Sequence, residues 1–251
     1  MPSVLYRPHR EPGPFSDRFE VDVAMKIIAH RGASQERPEN TLSAFERAIE
    51  IGVDAIEMDL LQTRDKRLVV RHDDLIEKDG TRYYIRDLTF DELQKIDVGK
   101  GERISSLESV FETIRNRCPL ILELKSEGLA NLLTGFLQKK KWDQQIHVTS
   151  FLPSEISRFA TLLPDIEHSI TLSALPTHYE TLLRECQTKQ LSLHRGFLTE
   201  DLVRRLKGEG ITVRVYTVNW LKEAVLFESW GVDAIFTDDP ASMRSLRQRS
   251  S

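Results

Sequence analysis

Eight short runs rich in Val, Ile and Leu, most of them followed by a stretch of helical period, constrain this chain more than any other feature. The runs cover residues 26–30, 55–60, 120–125, 146–150, 168–172, 191–194, 213–218 and 234–237. Amphipathic helices are expected over 40–51, 106–116, 154–163, 179–186, 199–207 and 221–230. The first places Leu42, Phe45, Ala48 and Ile49 on one face; the second is expected to open with a capping box of Ser105 and Glu108. Strands alternating with helices in a chain of 251 residues predict an α/β protein, a (β/α)8 TIM-type barrel. An internal echo supports a repeated unit. Gly52-Val53-Asp54-Ala55-Ile56 returns as Gly231-Val232-Asp233-Ala234-Ile235, each time as helix end, turn and strand start.

One apolar run breaks the rhythm. Residues 68–72 follow the second strand too closely for a parallel crossover, which needs a dozen residues or more. They are therefore expected to return antiparallel, as a β-hairpin extension of strand two. A two-residue turn at Asp65-Lys66 would set Arg64 against Arg67 and Asp59 against His72. The polar segment 73–104 then reads as a small insertion over the barrel mouth, holding one short helix over 90–96 capped by Thr89 with Glu92.

Composition removes several classes of function. No apolar run approaches the ~18 residues of a membrane span, so no stable membrane insertion is expected. With 35 basic and 39 acidic side chains the net charge is −4, and there is no global basic field for nucleic acid. Two cysteines, Cys118 and Cys186, form no disulfide framework and no metal-type pair, and read as reduced thiols of a cytoplasmic protein. Residues 1–24 hold Pro2, Pro8, Pro12 and Pro14 among charges without an apolar h-region. They are expected to form a flexible extension, with Met25 a candidate natural start and 25–251 a single barrel domain.

The chemistry gathers at strand ends. Strand one ends in His30-Arg31-Gly32, strand two carries Glu57 and Asp59, the hairpin returns His72, and the third strand carries Glu123 and Lys125. Residues two apart in a strand share a face, so Glu57 points with Asp59 and Glu123 with Lys125. Charges on otherwise apolar strands cost free energy unless partnered, and the C-terminal mouth of a barrel is where they find use. Three carboxylates are hard oxygen donors suited to Mg²⁺ or Ca²⁺. Two imidazoles supply a general acid and a general base near neutral pH. Arg31 and Lys125 can hold an anionic oxygen. Together these describe a site for a phosphoester. His147, His168 and His178 read as ordinary polar residues, His194 as core or rim ahead of pocket lining, and Trp142, Trp220 and Trp230 as packing.

Several separated motifs carry a family resemblance. His30-Arg31-Gly32 with Pro38-Glu39-Asn40-Thr41, Gly52-Val53-Asp54 through Ile56-Glu57-Met58-Asp59, Val69-Val70-Arg71-His72-Asp73 and Glu123-Leu124-Lys125 occur in order. Later echoes are Thr149-Ser150-Phe151, Tyr216-Thr217-Val218-Asn219 and the stretch 231–240. Over about 25–240 the chain resembles the glycerophosphodiester phosphodiesterases. The resemblance implies a divalent cation on Glu57, Asp59 and Glu123, and His30 and His72 as acid and base in an order left open. It further implies phosphate contacts from Arg31 and Lys125, and water-dependent cleavage of a small-molecule glycerophosphodiester to sn-glycerol 3-phosphate and an alcohol, a step of glycerol and lipid metabolism. The first attacker, water or the neighbouring glycerol hydroxyl, is also open. Tyr216 stands where that family usually has Trp and Thr149 where Ser is common, and the stretches 75–82 and 104–107 also depart from its pattern. These departures touch substrate preference rather than the acid, base and metal positions.

Three rivals remain beside this reading. One is a phospholipase D-like hydrolase of lysophospholipids; its lid should show a broader apolar face than the polar segment 73–104. Another is a catalytically silent phosphate-binding barrel, which should lack a metal ligand or a histidine. A metal-free isomerase or aldolase would need a glycine-rich phosphate loop, and the last strand offers Phe236-Thr237-Asp238-Asp239-Pro240 instead.

Overall fold

The computed structural model describes residues 25–78, 80–139 and 142–246. The expected N-terminal extension therefore lies outside the described residues. Eight parallel strands close on one another: β1 (Lys26–His30), β2 (Ala55–Gln62), β6 (Leu120–Leu124), β7 (Ile146–Ser150), β8 (Glu167–Leu172), β9 (Gln190–His194), β10 (Thr212–Tyr216) and β11 (Ala234–Thr237). β1 pairs with both β2 and β11, which completes the barrel. Helices α1 (Leu42–Ile51), α3 (Leu107–Ile114), α4 (Leu129–Lys139), α5 (Pro153–Leu162), α6 (Tyr179–Glu185), α7 (Glu200–Gly208) and α8 (Leu221–Trp230) connect them on the outside. Parallel strands covered by helices are buried on both faces, and β2 is buried from Ala55 to Leu61. Outward residues such as Ile56, Met58, Leu60, Leu122 and Val148 pack with Phe45, Val110 and Phe159 in the main core.

The barrel lumen has two unlike halves. Ile28, Ala55, Ile121, Ala234 and Phe236 form an apolar cluster on one side. The other side is polar: His147, Thr149, Ser169, Thr171 and Ser192 are buried there. His147 Nε2 lies 2.8 Å from Ser169 Oγ and accepts from Arg214 at 2.8 Å, and Thr149 and Thr171 hydroxyls lie 2.8 Å apart. His147 thus belongs to the packing of the floor, away from the mouth.

The hairpin exists, but its register differs by one residue. β3 (Leu68–Val70) pairs antiparallel with β2 as Leu60↔Val70 and Leu61↔Val69. Thr63 N donates to Arg67 O at 3.0 Å, closing a three-residue loop in which Lys66 takes the left-handed conformation at φ 62°. The extra turn residue puts Arg71, not His72, opposite Asp59; Arg71 N donates to Asp59 O at 3.0 Å. His72 lies beyond the strand.

The insertion carries more structure than one helix. β4 (Leu75–Lys78) and β5 (Thr81–Tyr84) form an antiparallel pair, followed by α2 (Phe90–Leu93) with the expected capping box of Thr89 and Glu92. Ile76, Ile85, Leu93, Ile96 and Ile104 pack on Leu61 and Val69 as a small second core. The box expected at Ser105 is absent. Ser105 O accepts from Val70 N, so the chain is still paired to β3 there, and Ser106 caps α3 one residue later through Ser109 N. Helix α4 has no counterpart among the helices expected from the sequence.

Cys118 and Cys186 are buried free thiols. Among the described residues no helix is long and apolar enough to cross a membrane.

Candidate active site

Strand register assembles the site. His30 ends β1 beside Glu57 of β2, and Asp59 of β2 lies beside Glu123 of β6. The three carboxylates are almost fully buried, and one oxygen from each lies within 4.8 Å of the others. Arg31 turns the chain away from β1 in the left-handed region, and its backbone N–H donates to Glu57 Oε2 at 3.0 Å. Gly32 follows at φ 82°, packed so closely on α1 that a Cβ would stand 2.7 Å from the Ala44 carbonyl carbon. Asn40, buried just before α1, grips Asp59 from both ends. Its amide donates to Asp59 Oδ2 at 2.9 Å and its carbonyl accepts from Asp59 N at 3.2 Å.

Two cations face the three acids. Lys125 Nζ lies 2.9 Å from Glu123 Oε1 and 3.2 Å from Asp59 Oδ1. Arg31 Nε lies 3.2 Å from Asp59 Oδ2, while its NH1 pairs with Glu39 at 2.9 Å. The balance shows in the acidities. Burial pushes Glu57 well above the usual carboxylate range, and its neighbours Asp59 and Glu123 push the same way. Burial also raises Glu123, against the pull of Lys125. Burial would raise Asp59 too, but Lys125, Arg31 and the Asn40 amide outweigh it and hold Asp59 low. Glu57 Oε1 is buried without a hydrogen-bond partner. An orphaned acid oxygen, a Glu57 carboxyl pushed upward by burial and by its acidic neighbours, and three hard donors fit a divalent cation. Glu57, Asp59 and Glu123 are the residues that could hold it.

His30, Arg31, Glu57, His72, Glu123 and Lys125 line one cavity of about 460 Å³ at the barrel mouth, with Asp59 buried beneath it. All seven residues singled out from sequence therefore converge. His72 reaches the cavity despite its shifted register, and its Nδ1 lies 2.8 Å from Asp73. The far wall carries the hydroxyl and aromatic residues Thr149, Phe151, Thr171, Ser192 and Tyr216, with one cation, Arg195. His194 lines it as well, on the rim rather than in the core. Sequence reasoning missed Asp238, whose carboxylate lies 2.7 Å from His30 Nδ1. The signal was present in Thr237-Asp238-Asp239-Pro240, but the pairing needs barrel closure to be seen. Trp142 and Trp230 pack as expected, whereas Trp220 is 69% exposed.

Residues 30–125 and 120–242 match the model of the glycerophosphoryl diester phosphodiesterase family. The chain belongs to that family, and is a phosphodiesterase. A glycerophosphodiester phosphodiesterase of Caldanaerobacter subterraneus subsp. tengcongensis is 30% identical over 237 residues, 88% of this chain and 96% of that one. A solved phosphodiesterase of Oleispira antarctica, in complex with the product sn-glycerol-3-phosphate, has a TM-score of 0.83 at 28% identity, covering 90% of this chain and 97% of that one. A glycerophosphodiester phosphodiesterase of Parabacteroides distasonis has a TM-score of 0.79 at 30% identity, covering 91% and 99%.

Proposed function

We propose that this phosphodiesterase hydrolyses glycerophosphodiesters to sn-glycerol 3-phosphate and an alcohol, with a divalent cation, Mg²⁺ or Ca²⁺, held by Glu57, Asp59 and Glu123. The observation that carries the reading is the buried acid cluster, with an unpartnered Glu57 oxygen, next to His30 and Lys125 in a single cavity. The product bound to the Oleispira relative supports the glycerol phosphate half.

His30 and His72 move the protons. One imidazole takes a proton from the attacking oxygen as its bond to phosphorus forms; the attacker is water, or the neighbouring glycerol hydroxyl, in which case a water then adds to the cyclic phosphate and opens it to sn-glycerol 3-phosphate in a second step. The other gives a proton to the alcohol oxygen as its bond to phosphorus breaks. Arg31 and Lys125 hold the non-bridging oxygens and offset the developing negative charge. A divalent cation, when bound, supplies Lewis-acid polarisation of the phosphoryl oxygen. Residues 25–251 act as one barrel domain, and the buried free thiols fit a reducing, cytoplasmic compartment.

A second reading, hydrolysis of lysophospholipids, draws on one observation: the β4–β5 hairpin exposes Leu75, Tyr83 and Tyr84, and Trp220 lies exposed after β10. Release of glycerol phosphate from a panel of glycerophosphodiesters, with lysophospholipids in parallel, separates the two. Each assay is run with chelator and with Mg²⁺ or Ca²⁺ added back. Turnover of soluble diesters lost on chelation and restored by the cation is expected. Full activity in chelator would remove the metal role, and turnover of lysophospholipid alone would replace the substrate.

A further inference from the structure

The last strand brings a carboxylate against the first histidine. β11 and β1 are parallel neighbours with Thr237 beside Ala29, so the next residues, Asp238 and His30, meet at the rim. Asp238 Oδ1 lies 2.7 Å from His30 Nδ1. The carboxylate is itself fixed. Asn219, in the loop after β10, donates from Nδ2 to Asp238 Oδ2 at 2.7 Å, while its carbonyl accepts from Asp238 N at 2.8 Å and from Thr237 Oγ1 at 3.1 Å. Ser34 Oγ adds a bond of 3.3 Å to Asp238 Oδ1. Asp73, the partner of His72, differs: it is the adjacent residue in sequence and is 63% exposed on its side chain.

A carboxylate accepts and cannot donate. The ring nitrogen facing it must carry the hydrogen, in both the neutral and the charged imidazole. The lone pair of neutral His30 is then confined to Nε2, which lies 4.0 Å from Glu57 on the cavity side. We infer that Asp238, held by Asn219, is the positioning residue that fixes the Nδ1–H tautomer of His30 and aims its Nε2 at the reacting oxygen. This rests on the proposed proton-transfer role of His30. Burial alone would raise Asp238, but the bonds from His30, Asn219 and Ser34 keep its carboxyl below the usual range and therefore ionised.

The test pairs kinetics with ¹⁵N spectra of the full chain carrying labelled histidine, the His30 signals being assigned from their loss in His30→Ala. In the parent, neutral His30 is expected as the Nδ1–H tautomer. Asp238→Ala should lower kcat about 10²-fold at a KM within about twofold, and shift the tautomer toward Nε2–H. Asn219→Ala should move both readouts the same way by a smaller step, about tenfold in kcat. Divalent-cation affinity should stay at the parent value. An unchanged tautomer in both variants, or a kcat within about threefold of the parent in Asp238→Ala, overturns the inference. If Asp238→Ala does not fold, the tautomer in Asn219→Ala decides alone. The outcome for His30→Ala is separate: near-parent activity there removes the proton-transfer role of His30, whatever Asp238 does.

Discussion

The Lys125 ammonium lies 2.9 Å from the Glu123 carboxylate, two residues earlier on the same face of one strand end, and reaches across to Asp59 at 3.2 Å. One cation thus bridges two acids from neighbouring strands. Lys125→Met would leave both acids short of a buried partner. The expected result is a stability loss of about 3 kcal/mol in denaturant titrations. A fall of roughly 10- to 100-fold in kcat/KM is also expected if the proposed charged contact to phosphate is lost.

Glu57 is the acid that burial and its neighbours drive toward the protonated form. Glu57→Gln keeps the shape and removes one carboxylate from the proposed ligand set. Divalent-cation affinity by calorimetry is expected to fall at least tenfold, while the apo protein keeps its thermal midpoint or gains slightly, since a repelling acid is gone. Unchanged affinity would place the cation elsewhere.

His72→Ala removes one of the two proposed proton carriers and none of the three carboxylates. Turnover should fall by about 10² or more at near-parent cation affinity. Activity within about tenfold of the parent would show that another group serves that step.

Gly32 lies at φ 82°, and any Cβ meets the Ala44 backbone. Gly32→Ala is expected to cost more than about 1 kcal/mol of stability. It should also weaken the site, because the same turn aims the Arg31 N–H at Glu57. A chemical denaturation curve and an activity assay on one preparation test both.

Below the site, burial and then the Arg214 guanidinium push His147 down to about 4. The folded value is depressed against about 6.5 for the unfolded chain, so the unfolded state binds the extra proton in between. This contribution is present above about pH 6.5 and is lost as the pH falls through about 4. Between pH 7 and 4.5 it amounts to about 2 kcal/mol. Denaturation of the parent and His147→Asn at both pH values should show a shallower decline in the variant.

The barrel was legible in sequence because parallel strands buried on both faces read as plain apolar runs; β1, β7 and β11 have the bounds expected for them. The charged face of the site was equally visible, since Glu57, Asp59, Glu123 and Lys125 interrupt such runs at period two. What stayed hidden depends on distant partners. Helix α4 has no capping side chain of its own at its start; the backbone N–H groups of Gly128 and Ala130 donate to Glu155 of α5, at 2.9 and 2.7 Å. The hairpin register turned on Lys66, a residue with no sequence mark for the left-handed conformation it takes. β4 and β5 are almost wholly exposed and lack a run of apolar residues to announce them. Asp238 meets His30 across 208 positions, a proximity that only ring closure creates.

The shifted hairpin leaves the two imidazoles on unlike footings. His30 belongs to a stave of the closed ring, whereas His72 sits past the end of β3, where the insertion begins. That insertion is seated on Leu61 and Val69 by its own small core. Lengthening or trimming it would re-aim His72 while leaving the carboxylate cradle untouched. One imidazole can therefore drift with the insertion over evolution while its counterpart stays pinned by ring closure.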